Sequence, residues 1–485
     1  MDPLLTLSAT ALARQIREGR VRAQTVVAAH VAHAKRYNPQ LNAIVAERYE
    51  AAEAEAEAAD RLLAACGPDG VPPFLGVPCT IKESIEVAGM PHSAGLVSRR
   101  ELRAARDTAV VARVRAAGGI VLGVTNTSEL CMWMETSNNL YGVTRNPYDL
   151  RRIVGGSSGG EGCIVGSGAS PFGIGADVGG SIRMPAFFNG VFGHKPSANI
   201  VPNSGHFPTA TPGLARTLTT GPLCRRAEDL WPLLRLLAGP DGEDEHCTEV
   251  LGGDPARVRI SDLTVYSIEG NGLIAVDPEL IAAQRAAAAA LAKLGAKVEV
   301  TEIAQLRHSF ELWSATMAAG TAVPFAALMG GDEAPVQPWI ELLRWIGDLS
   351  EHTFPAIALG IGETLEPLLP GKQGERLQQC AELRAAMTDM LGPNGIFLYP
   401  SYPRPAPRHH APLRRPLDWI YTAIGNVLQM PITQVPLGLS VDGLPLGVQV
   451  GARHGNDATT IAVALALETA FGGWIPPDLA HSPRE

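Results

Sequence analysis

Two serines 24 residues apart, Ser157 and Ser181, sit in a glycine-rich stretch that runs from Gly155 to Pro196. A lysine, Lys82, lies upstream in PCTIKES. A serine hydroxyl is a weak nucleophile until a base takes its proton, and acyl transfer is the chemistry such a set serves. Lysine is an unusual base: its ordinary pKa of about 10.4 keeps it protonated near neutrality, and burial with hydrogen bonding makes it competent. Only six lysines occur among the 40 basic residues (Lys35, Lys82, Lys195, Lys293, Lys297 and Lys372), so the chain writes its ordinary surface cations as arginine. Arginine does not release its proton in a protein, whereas a desolvated lysine does. Lys82, in an apolar Gly/Pro-bounded segment, is therefore a candidate base.

Each of these residues also has a plainer reading. The glycines of DVGGSIR let the backbone approach a ligand around Ser181, and successive N–H groups in such a turn form a nest for an oxyanion. The same pattern fits a tight turn with a helix N-cap serine. GGSSGG contains G-x-S-x-G in two registers, centred on Ser157 and Ser158, which is also the nucleophile-elbow pattern of an α/β-hydrolase esterase. That alternative needs a downstream histidine, with His206, His246, His308, His352, His409, His410 and His454 on offer. A phosphate loop is excluded, because the segment holds neither GxxxxGK[ST] nor GxGxxG. Lys82 alone also reads as a strand-end surface lysine.

The composition sets the frame. The chain has 485 residues, 46% hydrophobic and 18% charged, enough for a large core. A net charge of -9 argues against nucleic acid as a partner and leaves small-molecule substrates open. Seven scattered cysteines with no CxxC pair argue against a disulfide framework or a zinc knuckle and fit a cytoplasmic setting. The N-terminus lacks the pattern of a secretion signal, and no run of 18 apolar residues predicts a membrane span.

The elements that position the serines read as alternating helix and strand. Helices are predicted over Ser8–Glu18, Thr25–Tyr37 and Ala51–Ala65, within an N-terminal helical stretch to residue 65. A strand is predicted over VPCTI, ending at Lys82, then a helix over Thr108–Ala117 and a buried strand in GGIVLGVTN. Further on, Ala227–Ala238 and Asp277–Leu294 read as helices, with Leu263–Ile268 and KVEV as strands. The tail reads as strands around a turn at Asp442–Gly443. The pattern predicts an α/β fold in one large domain. Residues 303–370 hold Phe310, Trp313 and Met317 on one helix face and Trp339, Leu342, Leu343 and Ile346 on another. These faces are either core or an apolar mouth for substrate.

Lys82, Ser157 and Ser181 occur in an order and setting that resembles the amidase signature family. The resemblance rests on GGSSGGEG and GADVGGSIRMPAFFNGVFGHKPS, and the 24-residue serine spacing matches that family's. Within it, IKESIEVAGMPHSAG (81–95), TNTSELCMWMETSNNLYG (125–142), RNPYDL (145–150), PLGLSVDGLPLGVQV and FGGW (471–474) look like the fatty acid amide hydrolase branch. Coverage is strongest over 70–230 and 395–475 and weakest over 300–390, the variable substrate-pocket region.

The resemblance implies an amidase fold with a large mixed sheet covered by helices on both faces. It implies a serine amidohydrolase acting on fatty-acyl, aryl or related amides, with no cofactor and no metal. Ser181 matches the nucleophile. Ser157 matches the bridging serine entered through a cis peptide bond, and Lys82 the base. The N–H groups of Val178, Gly179, Gly180 and Ser181 match the oxyanion hole. Ser158, Asp177 and Arg183 match supporting residues, and Met132, Trp133 and Met134 match a motif near the site. Glu83-Ser84 after Lys82, and Glu161 after GGSSGG, depart from the wider family. Both point away from the partner-dependent A-type chain of an amidotransferase. The resemblance leaves a homodimer open.

Overall fold

A computed structural model of the chain describes residues 2–209, 213–321, 323–331, 334–365 and 373–480. Parts of the 300–390 region (322, 332–333 and 366–372) lie outside the described residues. Thirteen strands are present among them: β1 (Ile44–Glu47), β2 (Pro78–Lys82), β3 (Ile120–Thr125), β4 (Ser137–Asn138), β5 (Gly142–Val143), β6 (Phe172–Asp177), β7 (Phe192–Lys195), β8 (Thr219–Cys224), β9 (Thr264–Ser267), β10 (Lys297–Val300), β11 (Gly395–Tyr399), β12 (Ile432–Leu439) and β13 (Pro445–Ala452). Eleven form one sheet in the order β1-β3-β2-β6-β8-β7-β12-β13-β11-β9-β10. The sheet is mixed: β2 is parallel to both β3 and β6, whereas β8, β7, β12 and β13 pair antiparallel. The turn predicted at Asp442–Gly443 joins β12 to β13 and is closed by Ser440 N–H donating to Leu444 O (2.7 Å).

The helices are α1 (Ala9–Arg17), α2 (Ala23–Leu41), α3 (Tyr49–Cys66), α4 (Ala109–Ala116), α5 (Gly159–Gly166), α6 (Arg183–Phe188), α7 (Leu230–Leu237), α8 (Pro278–Lys293), α9 (Ser309–Gly320), α10 (Phe325–Gly330), α11 (Pro338–Ile346), α12 (Phe354–Leu365), α13 (Gln373–Leu391), α14 (Ile420–Val427) and α15 (Asp457–Phe471). Local chemistry starts several of them. Ser8 Oγ accepts from Ala11 N–H at the start of α1, and Asp277 accepts from Glu279 N–H ahead of Pro278 in α8.

Helices cover both faces, and strand alternation shows how. Along β13, Val448 and Val450 join the core cluster that also holds Ile461 and Val463 of α15. Gln449 between them turns the other way and meets Arg183 of α6. Along β2, Cys79 and Ile81 enter the main core, leaving Thr80 and Lys82 to the opposite face. That alternation delivers Lys82 to the face where the glycine-rich segment lies.

The apolar helix faces divide. Trp313 of α9 is half-buried. On α11, Leu342 packs against a small core with Met329 and Ile357, but Trp339, Leu343 and Ile346 are 52%, 70% and 70% exposed. Core packing is thus the wrong reading for that α11 face: its neighbours cover Leu342 alone.

Candidate active site

Lys82 ends β2, and its Nζ donates to Ser157 Oγ at 2.7 Å. Lys82 and Ser157 are each only 1% exposed. Ser157 follows a Gly156–Ser157 cis peptide bond. The two preceding glycines are required by space. A Cβ on Gly155 would lie 2.8 Å from Pro185 N, and one on Gly156 would lie 2.3 Å from Trp133 O. Thr136 staples the loop: its Oγ1 donates to Gly155 O (2.8 Å) and accepts from Gly159 N–H (3.1 Å) at the start of α5.

Ser181 lies on the next turn, between β6 and α6. It is 7% exposed, the most open of the three, and its hydroxyl has no hydrogen-bond partner among the described residues. The backbones of the two serine segments are joined by Ser158 N–H donating to Ser181 O at 3.1 Å. Ser181 is not a helix cap, because α6 begins at Arg183 with Ile182 before it. The elbow alternative also loses its partners. Ser158 Oγ donates to Ala176 O (3.1 Å), and no described histidine bonds Ser157, Ser158 or Ser181. His206 is instead held by Thr220 Oγ1 (2.8 Å), and burial lowers it to about 3.

The turn that carries Ser181 is fixed peptide by peptide. Asp177 O accepts from Asn426 Nδ2 (3.0 Å) and Thr219 Oγ1 (3.4 Å). Val178 O accepts from the Trp313 indole N–H (2.9 Å), and Gly179 O from Thr422 Oγ1 (2.8 Å). Gly180 O accepts from Met184 N–H (2.8 Å). A trans peptide points its N–H opposite its C=O, so fixing each carbonyl aims each amide. The amides of Val178, Gly179 and Ser181 have no acceptor among the described residues. Gly180 differs from the expectation of four donors. Its N–H is taken by Asp177 Oδ1 at 2.7 Å, because the carboxylate folds back into its own turn. Three donors remain for an oxyanion.

Asp177 and Arg183 are both fully buried. Burial raises the Asp177 carboxyl, but the charge and hydrogen bonds of Arg183 outweigh it and hold it well below the usual carboxylate range. Arg183 Nε reaches Asp177 Oδ2 (3.1 Å) and Nη2 reaches Asp177 Oδ1 (2.9 Å) and Asn426 Oδ1 (2.6 Å). Nη1 donates to Thr422 O and Gln449 Oε1, both at 2.7 Å. All five guanidinium N–H groups are therefore used.

Two further carboxyls account for the departures seen in the sequence. Glu83 accepts from Ser93 N–H and Oγ (2.6 Å each), Ala94 N–H (2.8 Å) and Tyr141 Oη (3.1 Å), pinning the 93–94 turn beside Lys82. Glu161 accepts from Thr80 Oγ1 and Thr125 Oγ1, each at 2.7 Å. Burial pushes Glu161 up to about 8, against those two bonds.

The Met132–Met134 segment does run beside the Gly156–Ser157 bond, as the Trp133 carbonyl contact requires. Met132 and Trp133 are half-buried. Met134 is buried and packs into a core with Phe187, Phe188 and Tyr402. Sequence reading missed Thr136, Trp313, Trp419, Thr422, Asn426 and Gln449 as supports. The only local signal was the i, i+4 spacing of Thr422 and Asn426 on an otherwise apolar α14.

Mixed sheet, glycine-rich turn and buried Lys–Ser bond define an α/β protein of amidase type. The amidase family profile matches residues 25–461. Human fatty-acid amide hydrolase 2 is 46% identical, over 98% of this chain and 91% of that protein. The A-type chain of glutamyl-tRNA(Gln) amidotransferase from Salinispora arenicola is 30% identical, over 99% of this chain and 100% of that one. The solved structure of 6-aminohexanoate cyclic dimer hydrolase complexed with substrate superposes with a TM-score of 0.78 at 28% identity, covering 100% of this chain and 99% of that one. The chain belongs to the amidase signature family.

The crowding at Gly180 makes it a sensitive position. Gly180 has φ +121°, and a Cβ there would lie 2.0 Å from Thr422 Oγ1. Gly180→Ala is expected to cut amide turnover by about 100-fold or more while circular dichroism stays native. A near-wild-type rate would show that the turn tolerates displacement of Thr422. Glu161 gives a prediction of a different kind. Its raised carboxyl takes up a proton on folding, a contribution full below the ordinary carboxylate range and lost as pH rises through about 8. Glu161→Gln should gain melting temperature relative to wild type as pH is raised from about 5 to about 9. A pH-independent difference would mean Glu161 is ionised throughout.

Proposed function

We propose that this amidase hydrolyses linear fatty-acyl and related apolar amides through Ser181, Ser157 and Lys82. The observation that carries the reading is the buried 2.7 Å bond from Lys82 Nζ to Ser157 Oγ, next to the Ser158 N–H that donates to Ser181 O. Ser181 Oγ attacks the amide carbonyl carbon. With the Lys82 amine neutral at the start of the cycle, the Ser181 proton passes to Ser157 and the Ser157 proton passes to Lys82. The carbonyl oxygen becomes an oxyanion facing the N–H groups of Val178, Gly179 and Ser181. Collapse breaks the C–N bond, and the proton returns through Ser157 to the departing amine. Water then cleaves the Ser181 acyl ester by the same relay.

The substrate class rests on two supports. Human fatty-acid amide hydrolase 2 is 46% identical, against 30% for the amidotransferase chain. Around the turn, Trp133, Trp313 and Trp419 supply half-buried aromatic surface suited to an acyl or aryl chain.

Labelling with a fluorophosphonate followed by peptide mass mapping tests the nucleophile. The label is expected on Ser181, and label on Ser157 or Ser158 would overturn the assignment. Lys82→Ala should lower amide hydrolysis at neutral pH by about 100–10,000-fold, the range of a general acid–base group. Near-full activity in that variant would remove Lys82 from the mechanism.

A further inference from the structure

The carbonyls of the Ser181 turn are held by several separate parts of the chain, and one of these is of a different kind. Asn426 and Thr422 belong to α14, and Met184 to α6, the helix that continues from the turn. Trp313 alone comes from α9, in the variable stretch where the family resemblance is weakest. Its indole Nε1 donates to Val178 O at 2.9 Å. An indole has one donor and no acceptor, so this bond has a single sense.

The bond is also tightly framed. The Trp313 ring packs edge-to-face on Trp419, with centroids 4.6 Å apart. A Cβ added to Gly179 would meet Trp419 Cζ3 at 3.2 Å and Trp313 Nε1 at 3.4 Å. Both indoles therefore sit against the Val178–Gly179 peptide. That peptide is trans, so holding its carbonyl toward Trp313 turns the Gly179 N–H away from α9. Gly179 has no side chain of its own to restrain that plane.

We infer that Trp313 is a positioning residue for catalysis: through Val178 O it aims the Gly179 N–H, one of the three free donors, at the developing oxyanion. The inference rests on the reading of Ser181 as nucleophile. The bond does not touch the ground-state substrate. Its effect belongs to kcat, because an oxyanion donor acts on charge that exists only in the transition state. It also makes the variable helical region a part of the catalytic turn as well as a wall beside it.

The test compares wild type with Trp313→Phe, which keeps a ring and removes the N–H. Turnover of decanoyl p-nitroanilide is measured alongside inhibition by a ten-carbon trifluoromethyl ketone, which forms an oxyanion on serine, and by the matching carbinol, which cannot. Trp313→Phe is expected to lose about 10–100-fold in kcat, less than the loss on deleting a donor outright, with KM changed by under about twofold. Ketone affinity should fall by a similar factor and carbinol affinity should hold. The inference is overturned if kcat is unchanged or if ketone and carbinol weaken together. Ser181→Ala separates this from the underlying reading. Turnover surviving in Ser181→Ala sinks the nucleophile assignment. Turnover lost there but intact in Trp313→Phe sinks only the role of Trp313.

Discussion

The buried Asp177–Arg183 ion pair is the joint on which the Ser181 turn hangs. Two charges removed from water are stable only when their remaining donors and acceptors are satisfied, and stranding one partner costs about 3–5 kcal/mol. Here the satisfaction is complete on the arginine side, and each bond does geometric service. Asp177 takes N–H groups from Gly180 and Ile182, which bends the chain back over its own strand end. Arg183 directs its other donors to Thr422, Asn426 and Gln449, which fastens α14 and β13 to the same point. Lysine could not replace that planar fork.

Around this joint the sheet supplies distance and the glycines supply clearance. Lys82 and Asp177 end two parallel neighbours, β2 and β6, so both arrive at one edge of the sheet. The Ser157 loop then fits between them because its neighbours leave no room for side chains. Two buried acids serve this edge differently. Glu83 is consumed by four bonds to a turn and tyrosine, whereas Glu161 bridges two threonines on adjacent strands. These buried polar groups thus act mainly as spacers between neighbouring segments of the chain.

How much of this could be read in advance divides by range. Helices such as Ala51–Ala65 and the hairpin at Asp442–Gly443 were legible because periodicity and turn chemistry are local. Lys82, Ser157 and Ser181 stood out as candidates by residue type and glycine context, and the family resemblance grouped them as one set. Strand β6 was hidden inside the glycine-rich block, since FGIGAD gives a weak strand pattern. The supports from α9, α14 and β13 were illegible: no short-range signal pairs Arg183 with Gln449, 266 positions away. Gly180 shows the limit at the closest range. A run of glycines marks a nest, but only the placed Asp177 carboxylate shows which N–H the protein uses itself. The α11 face shows the same limit for packing, as helical spacing names a face without naming a neighbour.

The long reach of those supports has a consequence for the birth of the enzyme. A chain leaving the ribosome exposes its lysine and both serines in its first half. Several of the partners that shape the turn and hold Arg183 arrive only with Thr422, Asn426 and Gln449. A nascent or C-terminally truncated chain therefore holds Lys82, Ser157 and Ser181 without the late partners that fix the Ser181 turn.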